Sequence, residues 1–172
     1  MTSSQKTPSR IILIGFMTSG KTTVGQALAK ELSYRFLDTD QMIEKDLGKS
    51  VLEIFEEEGE SFWREQEKIW LKEALKEEKV VVATGGGIIL DEENRRLIAE
   101  KGTIVSLKAD PAVIHERIRI LGRRPLLKGT NQLAKIEKLF QERAPYYEKA
   151  DIILNTSKSQ VSEIVQEIIK QL

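Results

Sequence analysis

The sequence predicts an α/β fold: three layers, α/β/α, around a five-stranded parallel sheet, with a phosphate-binding loop, a substrate-binding insertion and a lid. Three observations predict it. Five short strand candidates alternate with helical patterns, at Arg10–Ile14, around Arg35–Leu37, and at Val80–Ala83, Thr103–Leu107 and Ile152–Leu154. Their apolar runs are continuous rather than alternating, as in strands covered on both faces of a parallel sheet. The first run leads directly into Gly15-Phe16-Met17-Thr18-Ser19-Gly20-Lys21-Thr22, which fits G-x-x-x-x-G-K-[ST] between a strand and a helix.

Each element has its own local reason. Ile11-Ile12-Leu13-Ile14 is short, apolar and mostly β-branched, as a buried strand requires. From Lys21 to Leu32, Val24, Ala27, Leu28 and Leu32 share one helical face. Asp91 and Gly102 bracket a second helix. Asp110-Pro111 starts another, with a capping carboxylate followed by proline at the first helical position. Leu133–Gln141 reads as helical. Val161, Ile164, Val165, Ile168, Ile169 and Leu172 form the stripe of a final amphipathic helix. Two stretches break the alternation: residues 40–79, expected to bind substrate, and residues 120–135, a basic lid with Arg123, Arg124, Pro125, Lys128 and Gly129. One domain over 1–172 is expected, with residues 1–9 as a loose leader.

Composition narrows the partners. The 172 residues carry 27 Lys plus Arg and 27 Asp plus Glu, so no net field points to nucleic acid or an anionic membrane. No cysteine is present, which excludes disulfides and thiolate metal sites and fits a reducing cytoplasm. The first apolar run is too short for a signal peptide or a membrane span. A cytoplasmic monomer acting on small molecules is expected.

The phosphate loop carries the first chemical expectation. Its backbone N–H groups and the following helix N-terminus suit phosphate oxygens. Lys21 can reach the β- and γ-phosphates, and Thr22 offers a hydroxyl to Mg²⁺. Asp38-Thr39-Asp40 follows the second strand, at the sheet edge where ligands bind. Alternate residues of an extended segment point the same way, so one carboxylate can approach Mg²⁺ through water and the other an acceptor hydroxyl. An isolated Asp-x-Asp is equally consistent with a plain turn. Thr84-Gly85-Gly86-Gly87 closes the third strand and either bares backbone to a ligand or simply turns.

Glu60, Arg64 and Glu67 sit at helical spacings of four and three, which holds an arginine between two acids for carboxylate recognition. Phe62, Trp63 and Trp70 read as core or pocket wall. Arg117, Arg119, Arg123 and Arg124 concentrate cations near the lid. One of them is expected to stabilise a transferring phosphoryl group, the others to face solvent or stack on adenine. Arg143 follows the helical stretch, and His115 reads as structural.

In this order, these motifs resemble the shikimate kinase family, small members of the nucleoside-monophosphate-kinase-like phosphate-loop enzymes. The resemblance spans about residues 10–170 and rests on Gly15–Thr22, Asp38-Thr39-Asp40, Gly59-Glu60 with Arg64 and Glu67, Thr84-Gly85-Gly86-Gly87, Arg124-Pro125-Leu126-Leu127, and Arg143 with Pro145 and Tyr147. It implies transfer of the ATP γ-phosphate to the 3-hydroxyl of shikimate, a step towards chorismate and the aromatic amino acids. By that resemblance Asp40 assists loss of the hydroxyl proton, and Lys21 and Arg124 stabilise the phosphoryl group. Thr22 holds Mg²⁺ directly and Asp38 through water. Thr18, Ser19, Gly20, Lys21, Thr22, Thr23, Arg117 and Arg124 bind ATP, with Arg117 on adenine. Asp40, Arg64, Gly85, Gly86, Gly87 and Arg143 bind shikimate.

The chain departs from the family pattern in four places. Thr18 stands where glycine is usual, and Trp63 where phenylalanine is usual. One residue is missing between Tyr147 and Asp151, and Ser157-Lys158-Ser159-Gln160 lacks the common arginine and proline. A gluconate- or nucleotide-type kinase would share the phosphate loop and lid arginines, but would not need Asp40, Gly86, Arg64 and Arg143 together. A catalytically dead binding module would be marked by loss of Lys21, Asp40 or Arg124, and all three are present.

Overall fold

The computed structural model describes residues 7–121 and 131–172. The strands β1 (Arg10–Ile14), β2 (Arg35–Asp38), β3 (Val80–Ala83), β4 (Thr103–Lys108) and β5 (Ile152–Asn155) form one sheet in the order β2-β3-β1-β4-β5. Every pair is parallel. Register aligns their carboxyl ends: Leu13 lies opposite Ala83 and Val105, and Ala83 opposite Asp38. The loops leaving β1, β2 and β3 therefore emerge at one edge, which is where the phosphate loop, the two aspartates and the glycine run meet.

Helices cover both faces, as strands apolar on both sides require. On one face Ile11, Leu13, Val81 and Val105 pack against α1 (Lys21–Leu32) and α8 (Val161–Gln171) through Val24, Leu28, Ile164 and Ile168. On the other, Ile12, Val80 and Val82 share a core with α5 (Glu92–Lys101), α6 (Pro111–Leu121) and α7 (Gln132–Tyr147). This is the expected three-layer arrangement. Asp91 caps α5 as the sequence suggests, its side chain accepting from the Asn94 N–H at 3.1 Å.

The insertion between β2 and β3 folds as α2 (Thr39–Leu47), α3 (Val51–Glu57) and α4 (Gly59–Ala74). It has a small core of its own, in which Ile43, Ile54 and Trp63 are buried and the Phe55 and Trp63 rings lie 5.6 Å apart. Trp63 is thus a core residue of the insertion. Ser50 and Glu53 close a capping box that starts α3, a signal present in the sequence as Ser-x-x-Glu.

Three expectations change. The segment after β2 is not extended, because Asp38 caps α2 and the chain turns helical at Thr39. The helix expected over Leu133–Gln141 runs from Gln132 to Tyr147, so Arg143 and Pro145 lie inside it. Pro8 and Ser9 are tied down rather than loose: the Pro8 carbonyl accepts from the Tyr34 hydroxyl, and the Ser9 carbonyl from the Val80 N–H. Among the described residues no helix is long and apolar enough to cross a membrane.

Candidate active site

The loop from Gly15 to Thr22 wraps the N-terminus of α1. Gly20 takes a left-handed φ of 101°, and no acid stands in the first helical turn to offset its positive end. Lys21 is buried, and its Nζ donates to the carbonyls of Gly15 and Phe16, both at 2.8 Å. Thr18 has φ 57°, a conformation that is costly for a β-branched residue, on the order of 1–3 kcal/mol. That demand explains why glycine would be the ordinary residue there. Around this loop lies a cleft of about 510 Å³, lined among others by Ser19, Thr23, Asp38, Asp40, Thr84 and Arg117.

The cap at Asp38 joins the second strand to the phosphate loop. One carboxylate oxygen accepts from the N–H groups of Asp40 and Gln41 at 3.1 and 3.3 Å. The other accepts from the Thr22 hydroxyl at 2.7 Å. A hydroxyl and a carboxylate side by side at the helix N-terminus are hard oxygen donors of the kind Mg²⁺ takes, usually with waters and nucleotide phosphates completing its shell. The pair fits such an ion. Capping also places Asp40 in the first turn of α2, facing the same cleft.

The glycine run after β3 is where acid and base converge. The Gly85 N–H donates to Thr39 Oγ1 at 3.2 Å. A side chain at Gly85 would overlap Glu67 Oε1 and approach Asp40 Oδ1 to 2.7 Å; one at Gly87 would overlap the Arg64 guanidinium. Only glycine lets the backbone lie this close to those groups. Arg64 donates to Glu60 at 2.9 Å and to the buried Glu67 at 2.6 Å, so the helical spacing acts as read. From α7, Arg143 and Tyr147 both donate to the Gly86 carbonyl, at 3.2 and 2.6 Å. The Arg143 guanidinium lies 5.5 Å from the Phe16 ring centre, which links the α7 side to the phosphate loop.

Charge follows burial here. Removal from water raises the Glu67 carboxyl above its ordinary value, despite the opposing pull of Arg64, the Trp63 side chain and Arg143. Burial lowers the proton affinity of Arg64, but Glu67 and Glu60 more than offset it and the guanidinium stays charged. Burial also pushes the Tyr147 hydroxyl up to about 12, against the lowering influence of Arg143, so it remains a donor across the neutral range.

A model of the shikimate kinase family matches residues 17–172. The chain belongs to the shikimate kinase family. It is 42% identical over 161 residues to the shikimate kinase of Thermodesulfovibrio yellowstonii, covering 94% of this chain and 93% of that one. It is 44% identical over 162 residues to the shikimate kinase of Bacillus cereus strain AH187, covering 94% and 97%. The shikimate kinase from Acinetobacter baumannii, solved in complex with shikimate, superposes with a TM-score of 0.91 at 35% identity, covering 94% of this chain and 91% of that one.

Within this shikimate kinase fold, the expected residues fall into two adjoining groups. Thr18, Ser19, Gly20, Lys21, Thr22, Thr23 and Arg117 border the phosphate-loop end of the cleft. Asp40 and Gly86 also border it, and the contacts above bring Gly85, Gly87, Arg64 and Arg143 around them. Arg124, with Arg123, Pro125, Leu126, Leu127, Lys128 and Gly129, lies outside the described residues. Arg119 pairs with Glu116 at 2.7 Å on the exposed surface of α6, a solvated pair away from the cleft. His115 sits half-buried on α6 without lining the cleft.

Two residues at the site carried no signal of their own in the sequence. Tyr147 is legible only as part of the motif with Arg143 and Pro145, and its bond to Gly86 spans 61 positions. Thr156 belongs to no recognisable spacing or motif, yet it lines the cleft.

Proposed function

We propose that Asp40, Lys21 and Arg124 carry the transfer of the ATP γ-phosphate to the 3-hydroxyl of shikimate, giving shikimate 3-phosphate and ADP, with Arg64 and Arg143 holding the substrate carboxylate. The observation that carries this reading is the convergence on one glycine run of a base, Asp40, and two arginines from helices far apart in the chain. Phosphoryl transfer through a loose transition state asks chiefly for alignment and charge stabilisation. One carboxylate then suffices to accept the proton of the acceptor hydroxyl as its bond to phosphorus forms. A planar guanidinium pair suits a carboxylate, and a small anionic acceptor held from two sides keeps its hydroxyl in line.

Glu67 and Glu60 fix Arg64 beside the glycine run, and Tyr147 shares the Gly86 carbonyl with Arg143. With that carbonyl engaged towards α7, the Gly86 N–H serves the substrate. Lys21 and the first turn of α1 receive the β- and γ-phosphates. Mg²⁺ would be held by Thr22 and, through water, by Asp38, and when bound it neutralises charge on the nucleotide phosphates. The insertion at residues 40–79 is the substrate-binding subdomain and residues 120–135 the lid. A cysteine-free, charge-balanced chain suits a monomer working in a reducing cytoplasm on two small molecules.

Coupled ADP release with shikimate, gluconate and nucleoside monophosphates tests the assignment. Turnover is expected with shikimate alone. Comparable turnover of gluconate or a nucleotide overturns the acceptor assignment while leaving the nucleotide site intact.

A further inference from the structure

Thr156 follows β5 and is buried, 3% exposed. Its backbone N–H donates to the Lys108 carbonyl at 2.7 Å, which ties the end of β5 to the end of β4. Its hydroxyl lies 2.7 Å from the Ser19 carbonyl and 3.1 Å from the Lys108 carbonyl. Arg117, from α6, donates to the Thr156 carbonyl at 2.9 Å and to its hydroxyl oxygen at 3.3 Å. The same arginine donates to the Thr18 carbonyl at 3.0 Å. Thr156 is thus joined to residues 137 and 39 positions away in sequence.

Donor accounting gives this cluster a direction. A threonine hydroxyl has one proton and two lone pairs. The shorter contact takes the proton, so Thr156 donates to the Ser19 carbonyl, and a lone pair accepts from Arg117. The Lys108 carbonyl already has the Thr156 N–H. A trans peptide points its C=O and N–H to opposite sides. Drawing the Ser19 carbonyl back towards Thr156 therefore turns the Gly20 N–H the other way, at the loop residue that opens α1. Arg117 is held along one edge by the Thr18 and Thr156 carbonyls, which leaves its planar face available. Among the described residues lining the cleft there is no aromatic side chain, so this guanidinium supplies the flat surface for a purine.

We propose that Thr156 is a positioning residue for the nucleotide: through one hydroxyl it sets the Ser19–Gly20 peptide for phosphate and holds Arg117 for the base. This rests on the phosphate loop being the ATP site. Thr156→Val removes the hydroxyl at nearly constant volume, and Thr156→Ser restores it. The expected result for Thr156→Val is a rise of about tenfold in KM for ATP and in Kd for ADP measured by calorimetry, equal to about 1.4 kcal/mol. KM for shikimate should stay within about twofold, and Thr156→Ser within about threefold of wild type for ATP. In an Arg117→Ala background the further loss on Thr156→Val should shrink, because the shared partner is gone.

A residue needed only for folding would lower the melting temperature and the active fraction without separating the two KM values. If Thr156→Val does not fold, Thr156→Ala carries the same comparison with Thr156→Ser. The proposal is overturned by an unchanged ADP affinity, by equal rises in both KM values, or by a serine variant as impaired as the valine one. Absence of ADP binding in the wild-type protein would instead overturn the nucleotide reading on which it rests.

Discussion

Tyr147→Phe removes one oxygen from the interior and separates two roles of that hydroxyl. Tyr147 is 2% exposed and donates to the Gly86 carbonyl at 2.6 Å. Burial raises its pKa from 10.0 to about 12 in the folded chain. The folded value lies above the unfolded one, so the neutral phenol is favoured by folding. Its contribution is fully present below pH 10 and is lost as pH rises through about 12. The difference between 10.0 and about 12 corresponds to about 3 kcal/mol in the limit, and about 2 kcal/mol of it is lost by pH 11.5. Urea unfolding at pH 8.5 and pH 11.5 reads this directly, because the two proteins differ only in this hydroxyl. Wild type should lose about 2 kcal/mol more than Tyr147→Phe between those two pH values. At neutral pH the variant leaves Arg143 as the remaining donor from α7 to Gly86, and KM for shikimate should rise roughly fivefold, as for the loss of about 1 kcal/mol of hydrogen bonding. Parallel loss of stability in the two proteins would refute the claim that Tyr147 is a buried neutral donor.

Two further substitutions test the acceptor side. Asp40→Asn keeps the size and position of the side chain while removing the base. It should lower kcat by about 10² to 10⁴ and leave ADP affinity by calorimetry close to wild type; wild-type turnover would take Asp40 out of the mechanism. Arg64→Ala removes a guanidinium that Glu60 and Glu67 hold beside Gly87, and leaves Glu67 buried without it. KM for shikimate should rise at least about tenfold, with KM for ATP little changed; an unaltered KM for shikimate would return Arg64 to an ordinary surface ion pair.

What could be read from the sequence was local. The phosphate loop is contiguous, so its glycines, Lys21 and Thr22 are recognisable together. Glu60, Arg64 and Glu67 lie within two helical turns, and their spacing alone brings them onto one face. Strand runs buried on both sides specify a parallel sheet, and the parallel sheet gathers its loops at one edge. Register across the sheet is not local, and neither is the docking of α7. The Gly86 carbonyl meets Tyr147 and Arg143 only because α7 returns over the 3₁₀ turn at Ile88–Leu90, and no spacing rule links positions 86 and 147. Thr156 is illegible in the sequence for the same reason, since its partners Ser19, Lys108 and Arg117 come from the phosphate loop, the end of β4 and α6. The triplet's place after a strand suggests an extended aspartate pair. Capping by Asp38 decided otherwise, and the same capping bond is what turns Asp40 into the cleft.

The glycine run shows why local and non-local features had to agree. Two acids and two arginines approach one short stretch of backbone, and the acids come from different helices, Asp40 from α2 and Glu67 from α4. Like charges held that close oppose one another unless cations lie between or beside them. Arg64 answers Glu67 at 2.6 Å, while α7 brings Arg143 to the Gly86 carbonyl, where its charge also acts on Glu67. A side chain at Gly85 would displace Glu67 and Asp40, and one at Gly87 would displace Arg64. The absence of side chains at these two positions therefore sets the distance between the proposed base and the proposed carboxylate clamp. On the proposed reading, acceptor specificity depends as much on what the glycine backbone leaves out as on the charged groups around it.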